Sequence, residues 1–428
     1  MALRGEFTPP GDKSVSHRLV LMSILADGEM SVSGLSDSED VKSSLNIFRT
    51  LGGEVLGAGS NLILKGLGGS LKTNPEDLVE LDCGNSGTTF RLAGGVLAGF
   101  PGRYLLDGDS QLRRRPMERL ADPLRQMGAL AETTGGRAPM TLTGGGLHGI
   151  EYVNNDGSAQ IKGAVLMAAL SADSPTKIIE PIPTRDHTEK LIHDLGGKII
   201  VCGPEITLTP SRLTLPESLF IPGDPSAAAF FLIGAALMED SAVTARNILL
   251  SGPRIGFLKV LDRMGAAIDI GLEREKPEPN GYVTVEYNGH LTATEVTREE
   301  IPSVIDEIPM LALAAACADG VSVFRQVREL RHKETDRLTA IKHQLGAMGV
   351  RVWVENDDLF IEGPTKAFVP ESLDSGGDHR LAMMLHMTLV TAGLNLPVLG
   401  DESIPISYPG FKRDLNRLLG RAEPESQT

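Results

Sequence analysis

"GDKSVSHRLVLMSILA", residues 11–26, joins a polar turn to an apolar run. Gly11 and Asp12 read as a turn and helix N-cap, and the run behind them predicts a helix buried on most of its surface. Lys13, Ser14, Ser16, His17 and Arg18 crowd the start of that helix. The same opening recurs as "GNSG" from Gly84, "GSAQ" from Gly157, "GDPS" from Gly223 and "GDHR" from Gly377, while "IDEIP" from Ile305 replaces the glycine in the fifth copy. Each leads into a small-residue apolar stretch such as "FRLAGGVLAG" or "SAAAFFLIGAAL". A second phrase, Leu or Met followed by Gly and then Gly, Ala or Val, keeps step at Gly52, Gly128, Gly196, Gly265 and Gly349, with a weaker form at Gly420. Its intervals are 76, 68, 69, 84 and 71 residues. Glycine at the end of an amphipathic stretch predicts a helix C-cap, and β-rich runs such as "KIIV", "AIDI" and "VRVWV" usually follow.

The repeating unit is therefore polar turn, buried helix, strand, second helix, glycine cap, strand. Six copies in 428 residues exceed one core, so the expected architecture is α/β with two domains of three copies each. Hydrophobic content of 41% and charged content of 23% describe an ordinary globular protein. The net charge of −15 argues against nucleic-acid and anionic-membrane partners, and makes any basic cluster a local device. Cys83, Cys202 and Cys317 are far apart and form no CxxC pair, which points to a reducing compartment and away from a zinc site. "MALRGEFTPPG" has no apolar leader core, so a cytoplasmic, soluble protein is expected. The tail "RAEPESQT" is expected to be disordered.

Capping alone would explain one opener, but not the cations Lys13, Arg18, Arg91, Lys162 and Arg380 in or just behind them. Helix N-termini carry about half a positive charge, so several of them bearing cations make an anion site. "DSQLRRRPMER" (109–119) adds three consecutive arginines, with Arg115 extended because proline follows it. "RELRHKETDRL" (328–338) reads locally as a solvated helix start with Glu334 in the first turn. Yet Arg328, Arg331, Lys333 and Arg337 are unfavourable there unless an anion binds. In "SVIDEIPML" (303–311), Asp306 and Glu307 stand where other copies carry glycine and polar groups. A carboxylate among cations suits a general base, although an N-cap role is the plainer reading. No Walker sequence, HExxH or Cys/His ligand set occurs, and the formal G-x-G-x-x-G in "GGGLHG" (144–149) has no helix after it. His187 and His193 are not read as metal ligands, and Trp353 reads as strand packing.

Taken together, "GDKSVSHR", "GNSGTTFRL", "RRRPM", "SAQIK", "TRDHTEK", "DEIPM", "KETDRL", "GDHRLAM" and "ISYPGF" resemble the 5-enolpyruvylshikimate-3-phosphate (EPSP) synthase family nearly end to end. The resemblance implies transfer of the enolpyruvyl group of phosphoenolpyruvate (PEP) to the 5-hydroxyl of shikimate 3-phosphate, in the route to chorismate and aromatic amino acids. It implies two domains of three βαβαββ units, with helix N-termini facing an interdomain cleft. One domain would span residues 13–224; the other, discontinuous, would combine 1–12 with 225–428. No cofactor or metal is implied, the partners are the two small-molecule substrates, and a monomer is expected.

By the same resemblance, PEP is held by Lys13, Asn85, Gly87, Arg115, Gln160, Arg337 and Arg380. Shikimate 3-phosphate contacts Lys13, Ser14, Arg18, Ser158, Ala159 through its backbone, Gln160, Thr184, Asp306 and Lys333. Asp306, Glu334, Lys13 and His379 form the catalytic set. Two departures stand out: Ile406 occupies a place where many relatives carry lysine, and Glu329 one where others carry asparagine. Gly87 leaves room for the herbicide glyphosate, although "SAQIK", "RPM" and "TRDHTEK" look like the branch with tolerant members. The sister UDP-N-acetylglucosamine enolpyruvyl transferase is the nearest rival. It typically carries a cysteine in the loop that here reads "DSQLRRRPM". RNA 3′-phosphate cyclase shares the repeat fold but fits the −15 charge poorly. An inert anion-binding protein would be expected to lose Lys13, Asp306 or Glu334, and all are present.

Overall fold

The computed structural model describes residues 1–370 and 372–421, so the expected disordered tail beyond Arg421 lies outside the described residues. The chain divides into two compact units, residues 11–221 and residues 1–10 with 222–428. The breaks fall at 11 and 221 rather than at 13 and 224 because each capping turn stays with its helix. Asp12 accepts from the Val15 amide at 2.8 Å, and Asp224 from the Ser226 amide at 2.8 Å.

The 11–221 unit contains α1 (Lys13–Met22), α2 (Glu39–Thr50), α3 (Gly87–Ala98), α4 (Glu118–Gln126), α5 (Ala159–Ala169) and α6 (His187–Asp194). Its three copies each build a four-stranded sheet. In the second copy Leu78–Asp82 lies parallel to Gly102–Asp107, and the hairpin Leu130–Thr134/Arg137–Gly144 completes the sheet. The third repeats this with Glu151–Val153, Thr176–Ile179 and the hairpin Lys198–Cys202/Glu205–Thr209. The first copy takes its opening strand from the far end of the unit, Ser218–Phe220 parallel to Glu29–Ser33.

The other unit contains α7 (Pro225–Leu237), α8 (Gly256–Arg263), α9 (Ile308–Cys317), α10 (Arg337–Ala347), α11 (His379–Ala392) and α12 (Phe411–Leu418). Arg4–Phe7 supplies the opening strand of the fourth copy, parallel to Ala242–Leu249, which is why the first ten residues belong here. The fifth copy is complete. The sixth retains its two helices, but among the described residues its sheet is reduced to one bridge, Asp374 to Leu399.

All six phrase glycines sit just past helix ends at positive φ, from +64° at Gly420 to +107° at Gly128, a region other residues enter at a cost. Small residues let the central helices of a unit touch. A Cβ on Gly95 of α3 would lie 2.3 Å from the Ala164 carbonyl oxygen of α5. Trp353 stacks on Phe360 across the Arg351–Glu355/Asp358–Gly363 hairpin, ring centres 5.1 Å apart. Among the described residues no helix is long and apolar enough to cross a membrane.

Candidate active site

In the 11–221 unit the polar openers of α1, α3 and α5 form one bonded cluster. Lys13, the first residue of α1, extends its Nζ to Asp40 Oδ2 of α2 at 2.6 Å. One turn on, the fully buried His17 pairs its Nδ1 with Ser44 Oγ at 2.8 Å. Burial, with the like charges of Lys13 and Arg18, holds this imidazole well below its usual range, so it is neutral. Arg18 runs from α1 to two other helix starts. Its Nε donates to Thr188 Oγ1 of α6 at 2.7 Å and its Nη2 to the Ala159 carbonyl at 3.3 Å, while Nη1 bonds the Ser14 carbonyl at 3.0 Å.

The α3 opener is tied to the arginine loop. Asn85 Oδ1 accepts from Arg115 Nη2 at 3.0 Å, and its Nδ2 donates to Asp109 Oδ2 at 2.7 Å. Arg115 is extended, φ −77° and ψ 145°, as the following proline requires. Gly87 begins α3 where a Cβ would come 2.8 Å from Arg115 Nη1 and 3.0 Å from Arg91 Nη1, so two guanidinium groups pass over a bare backbone. Gln160 joins α5 to α3, donating from Nε2 to Thr88 Oγ1 at 2.9 Å and accepting from Arg91 at Oε1. Ser158 caps α5, and Thr184 Oγ1 donates to Glu180 Oε1 at 2.7 Å. Lys162 corrects the sequence reading. It is no cation of an open anion site, because its Nζ is buried between Glu180 and Glu189 at 2.8 and 2.5 Å.

The remaining residues cluster in the other unit around Asp306. Its Oδ1 lies 3.9 Å from Lys333 Nζ, 3.8 Å from Arg337 Nη1 and 3.7 Å from Arg380 Nε. Arg337 is fully buried, with Nε 3.0 Å from Asp378 Oδ2 and Nη2 2.5 Å from Glu334 Oε2. Burial works against its charge, but Asp378, Glu334 and Asp306 outweigh that and raise its pKa. Burial lowers Lys333 below the usual lysine range; Asp306, Glu329 and Glu334 pull it up, and Arg337 adds to the lowering. Glu329, the departure noted from sequence, thus acts electrostatically on Lys333. His379, buried, and Arg380 are the first two residues of α11, and Asp378 is its cap.

Glu334 does not sit in a helical first turn: α10 begins at Arg337 behind its cap Asp336, because "RELRH" forms a separate 3-10 turn. Arg331 is spent on Asp357 and Asp336, at 2.9 and 3.0 Å. Glu307 rather than Asp306 holds the cap position of α9, without a side-chain capping bond. Ile406 ends the 3-10 turn Asp401–Ile406, and Lys412 is tied to Asp401 at 2.6 Å. Sequence reasoning missed Asp40, Asp378, Thr88 and Thr188 as partners of these groups. Asp378, Thr88 and Thr188 lie inside "GDHRLAM", "GNSGTTFRL" and "TRDHTEK", but nothing in those motifs pairs them with Arg337, Gln160 and Arg18, and Asp40 lies in none of them.

The model of the EPSP synthase (3-phosphoshikimate 1-carboxyvinyltransferase) family matches residues 1–415. The 3-phosphoshikimate 1-carboxyvinyltransferase of Lactiplantibacillus plantarum is 40% identical, over 97% of this chain and 96% of its own length. That of Herpetosiphon aurantiacus is 41% identical, over 96% and 95%. The EPSP synthase structure from Acinetobacter baumannii superposes with a TM-score of 0.84 at 35% identity, covering 97% of this chain and 96% of that one. The enolpyruvyl transferase NikO from Streptomyces tendae shares the fold, with a TM-score of 0.76 at 19% identity and 97% and 95% coverage. Matched along nearly its whole length by the family model and by these relatives, the chain belongs to the EPSP synthase family.

Proposed function

We propose that this chain transfers the enolpyruvyl group of PEP to the 5-hydroxyl of shikimate 3-phosphate and releases inorganic phosphate, acting as a cytoplasmic monomer. The substrates bring two phosphates and two carboxylates, each phosphate about −1.5 to −2 charges at neutral pH. The observation that carries the proposal is one carboxylate oxygen of Asp306 facing Lys333, Arg337 and Arg380 at 3.7–3.9 Å. Opposite charges at that range favour the ionised form, and a charged carboxylate can take a hydroxyl proton.

Asp306 accepts the proton of the 5-hydroxyl, and the charge of Lys13 assists. Glu334, placed by Arg337, delivers a proton to the methylene carbon of PEP, so that the central carbon becomes electrophilic and the oxygen adds there. Elimination from the resulting tetrahedral adduct returns the methylene proton and expels phosphate, which Lys13, His379 and Arg380 receive. Arg115, Arg337 and Arg380 offer fork geometry to PEP's carboxylate and phosphate, and Asn85, Gly87 and Gln160 are further PEP contacts. Ser14, Arg18, Ser158, Ala159, Gln160, Thr184 and Lys333 hold shikimate 3-phosphate. Much of the rate comes from fixed charge and position.

Phosphate release from purified protein given both substrates, with each alone as control and a chelator throughout, tests this. Release only with both is expected. Release with UDP-N-acetylglucosamine but not with shikimate 3-phosphate would overturn the choice of acceptor.

A further inference from the structure

A set of buried charges that these roles leave unused lies under the first turn of α5. Lys162 Nζ is 2.8 Å from Glu180 Oε2 and 2.5 Å from Glu189 Oε1, and the three side chains are 1%, 8% and 6% exposed. The second oxygen of Glu180 accepts from Asn154 Nδ2 at 3.0 Å and from Thr184 Oγ1 at 2.7 Å. Asn154 Oδ1 accepts in turn from the backbone amide of Ser158, the α5 cap, at 3.2 Å. Glu189 directly follows Thr188, whose hydroxyl takes the Arg18 Nε bond. Ser158, Thr184 and Arg18 thus reach one ammonium group through short bonded or main-chain links. Desolvating three ionisable groups costs several kcal/mol each, and a well-packed apolar filling is commonly as stable, so stability alone is a weak reason for the set.

We infer that Glu180, held by Lys162 and Asn154, is a positioning residue for the acceptor half of the site, orienting Thr184 directly and the Asn154–Ser158 turn through Asn154. The inference rests on the assignment of Ser158 and Thr184 to shikimate 3-phosphate given above. PEP, assigned to other side chains apart from Lys13 and Gln160, depends on it far less.

Glu180→Gln tests this, because the glutamine oxygen can still accept from Asn154 and Thr184 but its amide hydrogens then face the Lys162 ammonium. Steady-state kinetics with each substrate varied should show KM for shikimate 3-phosphate raised about 10-fold or more, the loss of a charged hydrogen bond. KM for PEP and kcat should stay within about threefold. Asn154→Ala leaves the ion triad intact and should raise the acceptor KM alone, which decides the matter if Glu180→Gln does not fold. Thr184→Ala and Ser158→Ala serve as direct controls. If these raise the acceptor KM while folded Glu180→Gln and Asn154→Ala do not, or if the two KM values rise together, the positioning role is overturned. If the controls themselves leave it unchanged, the acceptor assignment falls and the inference with it.

Discussion

Asp306→Asn separates a proton-accepting carboxylate from a structural ion-pair partner, because the amide keeps the shape and removes the charge. Three cations face Asp306 Oδ1 at 3.7, 3.8 and 3.9 Å. At an effective dielectric of about 20, each such pair is worth about 4 kcal/mol before the cost of desolvation. The asparagine variant leaves Lys333, Arg337 and Arg380 without their shared counter-charge, so their attraction for anionic substrates is undiminished. KM for both substrates should therefore hold or fall, and thermal stability should drop as the cations repel one another. The chemical step loses its base, which costs about 100- to 10,000-fold in kcat. Initial rates of phosphate release with each substrate varied, alongside a melting curve, read both quantities. A kcat within about tenfold of the parent, or a large rise in KM with kcat preserved, would refute the base assignment.

Four further outcomes follow from the same geometry. Glu334→Ala should lower kcat with near-normal substrate binding; an unchanged kcat in phosphate-release assays would end its assignment as proton donor. Lys333 is held low by burial, so its charge is lost as pH rises at a lower pH than for an ordinary lysine. Acceptor KM should rise in that window and stay flat in Lys333→Arg, while the lysine's own contribution to stability increases with pH because the unfolded chain binds the extra proton. Gly87→Ala puts a methyl 2.8 Å from Arg115 Nη1 and 3.0 Å from Arg91 Nη1, which should raise KM for PEP while sparing the acceptor, as kinetics with each substrate varied will show. Gly95→Ala meets the Ala164 backbone at 2.3 Å, which cannot yield as a side chain can. Calorimetry should then show a loss of about 1–3 kcal/mol in stability with KM values unchanged below the transition.

Whatever depends on residues near one another in the chain can be read from the order of amino acids alone. Turn, cap and apolar run recur together at five of the six openers because capping and helix burial are local, and the phrase glycines mark helix ends because only glycine enters positive φ cheaply. Arg115 was legible as extended because its neighbour is proline. Which strand begins each copy was not legible. Arg4–Phe7 opens the fourth copy across more than two hundred residues, and Ser218–Phe220 returns to the first. Nor could sequence tell a cation open to substrate from one already spent. Lys13 and Lys162 both stand in opener helices, yet Lys13 faces the single carboxylate of Asp40 while Lys162 is closed between two, eighteen and twenty-seven residues away, and Asp306 gathers cations from two separate segments. A charge takes its role from what faces it, and where those partners are distant in the chain it is the folded arrangement that sets the role.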